Sequence, residues 1–408
     1  MILLQAPRGP LKADISLPSS KSESNRALII QGLGGGGITL DNLSSARDTQ
    51  TMIRLLESEG HVLDVIDAGT TMRFLTAFFA AVGRDQILTG TPRMCQRPIG
   101  ILVDALRELG AEITYWNQEG FPPLHIISKG LPLRGGAISM GGDVSSQFIS
   151  AILMIAPVLP GGLALTLTGK ITSRPYIDLT RRMMQHFGVA SHWEGATVVV
   201  PEQTYQPGHY TIESDWSAAS YWYSLVALSP GSEVFLRGLR EDSWQGDQQI
   251  ATWMTHFGVH TTYESGGVRL TQVVPDRPDQ LLVFDCHDTP DLAQTLAVLS
   301  AATGIPVQLE GLHTLRVKET DRIEAIRQEL ARFKVAVEVE GTTIRISGTA
   351  EPSPSVVNTY DDHRMAMAFA PLALRQSRLD MQGHEVVAKS YPEFWQHLEQ
   401  VGFKTSML

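Results

Sequence analysis

Basic residues in this chain gather where small or turn-forming residues give way to apolar helical patterns. LPSSKSESNRALI, from Leu17 to Ile29, puts Lys21, Ser22 and Arg26 at the opening of a predicted helix, where unpaired backbone N–H groups and the helix dipole favour an anion. DAGTTMRFLTAFF repeats the arrangement from Asp67 to Phe79, with Gly69 where a side chain would block close approach of a ligand to the backbone. PRMCQRPIG carries Arg93 and Arg97 between prolines, and TSRPYID sets Ser173 and Tyr176 about a turn apart. VSSQFISAILM begins with Ser145, Ser146 and Gln147 and continues as a helix too apolar to be exposed on every side. Polar groups that open a buried helix need caps or a ligand.

The second half holds a denser constellation. In RVKETDRIEAI a helix is expected from about Lys318, which puts Lys318 and Arg322 on one face with Glu319 beside them. Two cations on one face repel unless an anion lies between them. DDHRMAMAF offers His363 and Arg364 at the entrance to a Met- and Ala-rich helix, VVAKSYPEFW offers Lys389 before a proline turn, and DTPDLAQTLAVL places Asp291 just past Pro290 at another apolar helix start. Each segment alone also reads as ordinary capping or a solvated charged face. There is no Walker loop, Ser-His-Asp order, HExxH, CxxC or dinucleotide fingerprint.

These residues need a scaffold, and a repeat supplies it. An amphipathic helix, a glycine and an alternating strand recur as LVDALRELGAEITY, TRRMMQHFGVASHW, IATWMTHFGVHTTY and IRQELARFKVAVEV, with weaker copies in MIRLLESEGHVLDV and WQHLEQVGF. Gly60, Gly110, Gly188, Gly258 and Gly402, with Lys334 in place of a sixth, are expected to end the helices in the left-handed region. The spacing describes six βαβ-type modules of about 70 residues, three to a domain, the first shortened between Thr51 and Asp67. A crossing between domains is expected in PEQTYQPGHYTIESD, from Pro201 to Asp215.

At 408 residues the chain is long for a single core, and 43% apolar with 19% charged residues suits a globular enzyme. A net charge of −10 argues against a nucleic-acid surface, so any anion must be met locally. Cys95 and Cys286 fit neither a disulfide framework nor a zinc site. The longest apolar stretch, Phe148 to Leu159, falls short of a membrane span, and a cytoplasmic location is expected.

Taken in order, KSESNR, AGTTMR, PRMCQRPI, VSSQF, RVKETDR and DHRMAM closely resemble the 5-enolpyruvylshikimate-3-phosphate synthases, over the whole chain. The resemblance implies an α/β (α+β) fold, a two-domain inside-out α/β barrel of six βαβαββ repeats. Residues 1–16 with 214–408 would form one domain and 17–213 the other. It implies transfer of the enolpyruvyl group of phosphoenolpyruvate to the 5-hydroxyl of shikimate 3-phosphate, without metal or cofactor, by a monomer with no nucleic-acid or membrane partner. Shikimate 3-phosphate would be held by Lys21, Ser22, Arg26, Ser145, Ser146, Gln147, Ser173, Tyr176, Asp291, Thr314 and Lys318. Phosphoenolpyruvate would be held by Lys21, Gly69, Arg97, Gln147, Arg322, Arg364 and Lys389. Lys21, Asp291 and Glu319 are the implied catalytic groups: Glu319 for the proton at C3, Asp291 for the base at the hydroxyl, and Lys21 assisting. Cations drawn from both halves would repel and hold an empty cleft open until ligands close it.

Asp67, Phe74, Thr314 and the PSSK turn depart from the usual pattern. Asp67 stands next to the phosphoenolpyruvate site by this reading and needs a cation, Arg73 or Lys21 being the expected partners. The competing readings are a UDP-N-acetylglucosamine enolpyruvyl transferase, disfavoured because Cys95 lies only two residues before Arg97, and a silent anion-binding protein on the same scaffold.

Overall fold

The computed structural model describes residues 1–128, 130, 133–273, 280–353, 356–376 and 378–407. The chain divides into two compact units, Met1–Ser19 with Glu213–Leu408, and Ser20–Ile212.

One module recurs in both. Strand Val62–Asp64, helix Gly69–Val82, strand Gln86–Thr89, helix Gly100–Glu108 and the strands Glu112–Tyr115 and Leu124–Ile127 follow one another. They build a four-stranded sheet in which the first two strands run parallel and the others antiparallel. The same order fills Gly136–Val200 and Leu282–Ser347. In two further sheets the N-terminus supplies a strand. Lys12–Ser16 pairs in parallel with Glu233–Arg237, and Ile2–Gln5 lies between Leu379–Gln382 and Lys404–Met407, antiparallel to both. The remaining sheet is only the parallel pair Ile38–Asp41 and Gly208–Thr211. Helix Arg47–Glu57 is followed by strand Val62–Asp64, a link too short for a hairpin, and this is the shortened module.

The layers are inverted relative to a sheet-cored domain. In the Ser20–Ile212 unit, helices Lys21–Leu33, Gly69–Val82 and Ser146–Ile155 pack on one another, and in the other unit helices Trp216–Leu228, Ala293–Thr303 and His363–Phe369 do the same. WSAASYWYSLVAL explains the choice: apolar residues cover its whole circumference, and all but one of its residues are buried. The sheets lie outside, with alternating patterns such as Leu163–Thr168, whose buried residues face the helices and whose others meet solvent.

The helix stops follow the expected chemistry with one exception. Gly110, Gly188, Gly258 and Gly402 have φ of 97°, 81°, 75° and 92°, and Lys334 adopts 60° although it carries a side chain. Gly60 does not share this role, because helix Arg47–Glu57 ends into an extended Ser58 and the chain passes directly to the next strand.

Candidate active site

The central helices bring chemistry to their N-terminal ends. In the Ser20–Ile212 unit, Ser20 caps helix Lys21–Leu33 by accepting from Glu23 N, so Lys21 is the first helical residue. Lys21 Nζ lies 3.1 Å from Asp48 Oδ2, and Thr71 Oγ1 donates to the Asp48 carbonyl. Arg26 is 2% exposed and is held by neutral oxygens. Its Nε donates to Thr180 Oγ1 at 2.8 Å, Nη1 to the Ser22 carbonyl at 2.8 Å and Nη2 to Ser150 Oγ at 3.1 Å. Burial brings this guanidinium down to about 10, the response of a cation that an incoming anion would stabilise. The Phe74 ring lies against it, 5.5 Å from centroid to Cζ.

Gly69 opens its helix between two guanidinium groups. A Cβ there would lie 2.6 Å from Arg73 Nη1 and 2.7 Å from Arg97 Nη1. Arg73 donates to Gln147 Oε1 at 3.0 Å, and Gln147 Nε2 to Thr70 Oγ1 at 3.0 Å. Arg97 is buried and Arg93 exposed. Ser145 caps helix Ser146–Ile155 through Gln147 N. Ser173 precedes helix Arg174–His186 at φ 54°, with Tyr176 N donating to its carbonyl. Lys21, Ser22, Arg26, Tyr176 and Ser173 thus cluster around two helix starts, and Gly69, Arg97, Gln147 and Ser146 around two others.

The other unit assembles a buried ionic cluster around Asp291. Asp291 Oδ1 lies 2.9 Å from Arg322 Nη1 and 3.5 Å from Lys318 Nζ, while Oδ2 lies 2.7 Å from Arg364 Nη2. Arg322, 1% exposed, also forks onto Asp362, with Nε to Oδ2 at 2.6 Å and Nη2 to Oδ1 at 3.2 Å. Its Nη2 reaches Glu319 Oε2 at 3.0 Å, and Lys389 Nζ lies 3.9 Å from Glu319 Oε1. Asp362 caps helix His363–Phe369 through Arg364 N, so one carboxylate fixes two arginines. Arg364 is steadied further by Tyr221 OH and Ser217 Oγ, each at 3.4 Å. The Thr314 hydroxyl is buried with no hydrogen-bond partner among the described residues.

The electrostatics follow from this crowding. Burial alone would raise the Asp291 carboxyl, but Arg364, Lys318 and Arg322 outweigh it and hold it far below the usual range. Burial pulls the Lys318 ammonium down despite Asp291. Arg322 is raised because Asp362, Glu319 and Asp291 overcome its desolvation. Burial and the Asp291 charge push Asp247, which accepts from Ser217 Oγ, up to about 6, with Arg364 opposing.

Three expectations are corrected. The helix begins at Arg322, not Lys318, because Asp321 takes the cap position and accepts from Ile323 N and Glu324 N; the anion between Lys318 and Arg322 is Asp291. Asp291 itself caps nothing and sits in a short 3₁₀ turn, Pro290–Leu292. Asp67 forks onto Arg47 Nη2 at 2.9 and 3.1 Å, rather than onto Arg73 or Lys21. Asp48, Asp247, Ser217, Tyr221 and Asp362 were missed. Only Asp362 had a signal, its place just before the helix opened by His363.

A family model described as EPSP synthase (3-phosphoshikimate 1-carboxyvinyltransferase) matches residues 5–62 and 54–398. The chain is 47% identical over 410 residues to a 3-phosphoshikimate 1-carboxyvinyltransferase of Bacteroides fragilis, covering 98% of both chains. It is 35% identical to that of Cronobacter sakazakii, covering 95% of both. Among solved structures, an EPSP synthase from Acinetobacter baumannii superposes with a TM-score of 0.79 at 22% identity, covering all of both chains. No helix among the described residues is long and apolar enough to cross a membrane. With the motifs, the inverted six-module fold and full-length relatives agreeing, the chain belongs to the EPSP synthase family.

Proposed function

We propose that this protein transfers the enolpyruvyl group of phosphoenolpyruvate to the 5-hydroxyl of shikimate 3-phosphate and releases phosphate, as a monomer in the cytoplasm, with no metal or cofactor in the reaction. The observation that carries this reading is the Asp291 carboxylate held by Arg322, Arg364 and Lys318, with Glu319 sharing Arg322 and lying near Lys389. Phosphorylated carboxylates need such cations, and Arg forks suit both groups.

Shikimate 3-phosphate is assigned to Lys21, Ser22, Arg26, Ser145, Ser146, Gln147, Ser173, Tyr176, Thr314, Lys318 and Asp291. Phosphoenolpyruvate is assigned to Lys21, Gly69, Arg97, Gln147, Arg322, Arg364 and Lys389. Asp291 fills the anion's place among these cations when no ligand is bound. As phosphoenolpyruvate engages Arg322 and Arg364, Asp291 loses the charges that suppress its basicity and can take the proton of the 5-hydroxyl. The alkoxide oxygen bonds to C2 while Glu319 delivers a proton to C3, giving a tetrahedral intermediate. Its C2–O bond to phosphate then breaks as C3 returns a proton to Glu319, and the surrounding cations stabilise the departing phosphate.

Phosphate release measured with both substrates, and with either omitted, tests the assignment; no release with both present would leave only the silent anion-binding protein. Glu319→Gln is expected to bind both ligands and lose about two orders of magnitude or more in turnover. Near-normal turnover in that variant would remove Glu319 from the mechanism.

A further inference from the structure

His61, Asp85 and His125 are far apart in sequence, and their ligand atoms all lie within 4.8 Å of one another. The sheet brings them there. His61 directly precedes strand Val62–Asp64, Asp85 directly precedes Gln86–Thr89, and His125 lies within Leu124–Ile127; these strands are adjacent in that order. Backbone pairing fixes the three positions, with Ile87 N donating to the His61 carbonyl at 2.9 Å and Ile87 registered against His125.

The side chains converge on one oxygen. Asp85 Oδ1 lies 2.8 Å from His125 Nε2 and 3.6 Å from His61 Nδ1. The other oxygen accepts from Ser128 N at 3.2 Å, which aims Oδ1 at the imidazoles. The rings are nearly perpendicular, at 86° with centroids 5.5 Å apart, so they do not stack and can both turn a nitrogen to a common point. The neighbouring cation, Arg84, is directed to the Ser58 carbonyl and the Phe79 ring.

We propose that His61, Asp85 and His125 form a binding site for a divalent first-row transition ion, with zinc the natural occupant. Ligand atoms around tetrahedral zinc stand roughly 3.4 Å apart for bond lengths near 2.1 Å, and the two distances to Asp85 bracket that separation. Two imidazoles and one carboxylate select such an ion over magnesium or calcium. The side chains are 55%, 41% and 26% exposed for His61, Asp85 and His125, which leaves coordination positions for water. The site is at the end of the sheet where the parallel strands begin, whereas Gly69 follows strand Val62–Asp64 at its other end. Its role is therefore a clip across three strands, separate from the reaction.

Calorimetry and thermal unfolding of the full chain, dialysed against chelator and titrated with zinc chloride, test the proposal. Cobalt substitution followed by visible absorption is the structural readout. The wild-type chain is expected to bind one equivalent at low micromolar Kd with a rise in Tm, and His61→Ala and His125→Gln each to weaken binding by about tenfold or more. Circular dichroism of both variants checks that the fold is retained. No saturable binding below about 1 mM, or binding unchanged in both variants, overturns the site.

Discussion

At the scale of single residues, Gly69 is the glycine whose crowding falls on the site's cations. A methyl group there must displace both the Arg73 and the Arg97 guanidinium, which approach within 2.7 Å of the would-be Cβ. Both clashing atoms are ends of flexible arginine side chains, so the fold itself loses little, but at this position the displacement falls on Arg97, a cation assigned to phosphoenolpyruvate. Gly69→Ala is expected to raise the KM for phosphoenolpyruvate by about tenfold or more while shikimate 3-phosphate is affected less; steady-state kinetics with each substrate varied in turn will decide, and equal effects on both would mean a general distortion. Asp247 makes a different prediction. Its folded pKa, about 6, is raised above the ordinary 3.8, so its stabilising contribution is full below the lower value and is lost as pH rises through the upper one. Asp247→Asn cannot ionise. The stability of the wild type relative to this variant should therefore fall by about 2 kcal/mol between pH 4 and pH 7. Denaturant unfolding of both proteins across that range measures it, and a pH-independent difference would show that Asp247 does not titrate there.

Secondary-structure elements carry their own strain. Lys334 ends helix Arg322–Arg332 at φ 60°, where its relatives in the repeat are glycine. The left-handed conformation costs an L-residue about 1–2 kcal/mol, and the exposed Lys334–Glu351 pair returns little. Lys334→Gly is expected to stabilise by about 0.5–1 kcal/mol after the greater freedom of glycine in the unfolded chain is counted; a lower denaturation midpoint would mean that the ion pair outweighs the backbone. The same elements show what the sequence made legible. Helix starts at Lys21, Gly69 and Ser146 could be read because capping residues and all-round apolar patterns are local. The start at Arg322 reads a turn early, since Lys318 and Glu319 favour helix while the cap that fixes the start, Asp321, lies beyond them and Lys318 is extended. Asp291 was legible as a candidate and illegible as a neighbour. Its contacts to Arg322 and Arg364 span 31 and 73 residues, distances that local pattern cannot close. The left-handed turns at Ile66, Ser173, Tyr360 and Asp361 were also hidden, because no glycine marks them; all of them enter helices that carry site residues, where strain is commonly stored.

For the whole molecule, the two units differ in how the chain supplies them. Ser20–Ile212 is continuous, whereas the other unit needs both ends of the chain. A fragment of residues 20–212 is expected to unfold cooperatively by itself. A fragment of residues 213–408 should do so only when residues 1–19 are rejoined, for example through a linker after Leu408, because it lacks an inner strand of one sheet and an edge strand of another. Calorimetry of the three fragments tests this, and cooperative melting of 213–408 alone would show that the N-terminal strands are dispensable.

The placement of Ile2–Gln5 between Leu379–Gln382 and Lys404–Met407 also sets an order in time. A ribosome adding about 5–20 residues each second needs roughly 20–80 s for a chain of this length. For nearly all of that interval strand Ile2–Gln5 has neither of its partners, since they lie more than 370 residues further along the chain. The middle of the chain can acquire its native structure while synthesis continues, but the sheet that holds Ile2–Gln5 can close only once Lys404–Met407 has been made. A chain that stops before Lys404 leaves an apolar strand, with Ile2 and Leu4 buried in the folded protein, paired on one side only. In the cell, Ile2–Gln5 thus stays half-paired until Lys404–Met407 has been made.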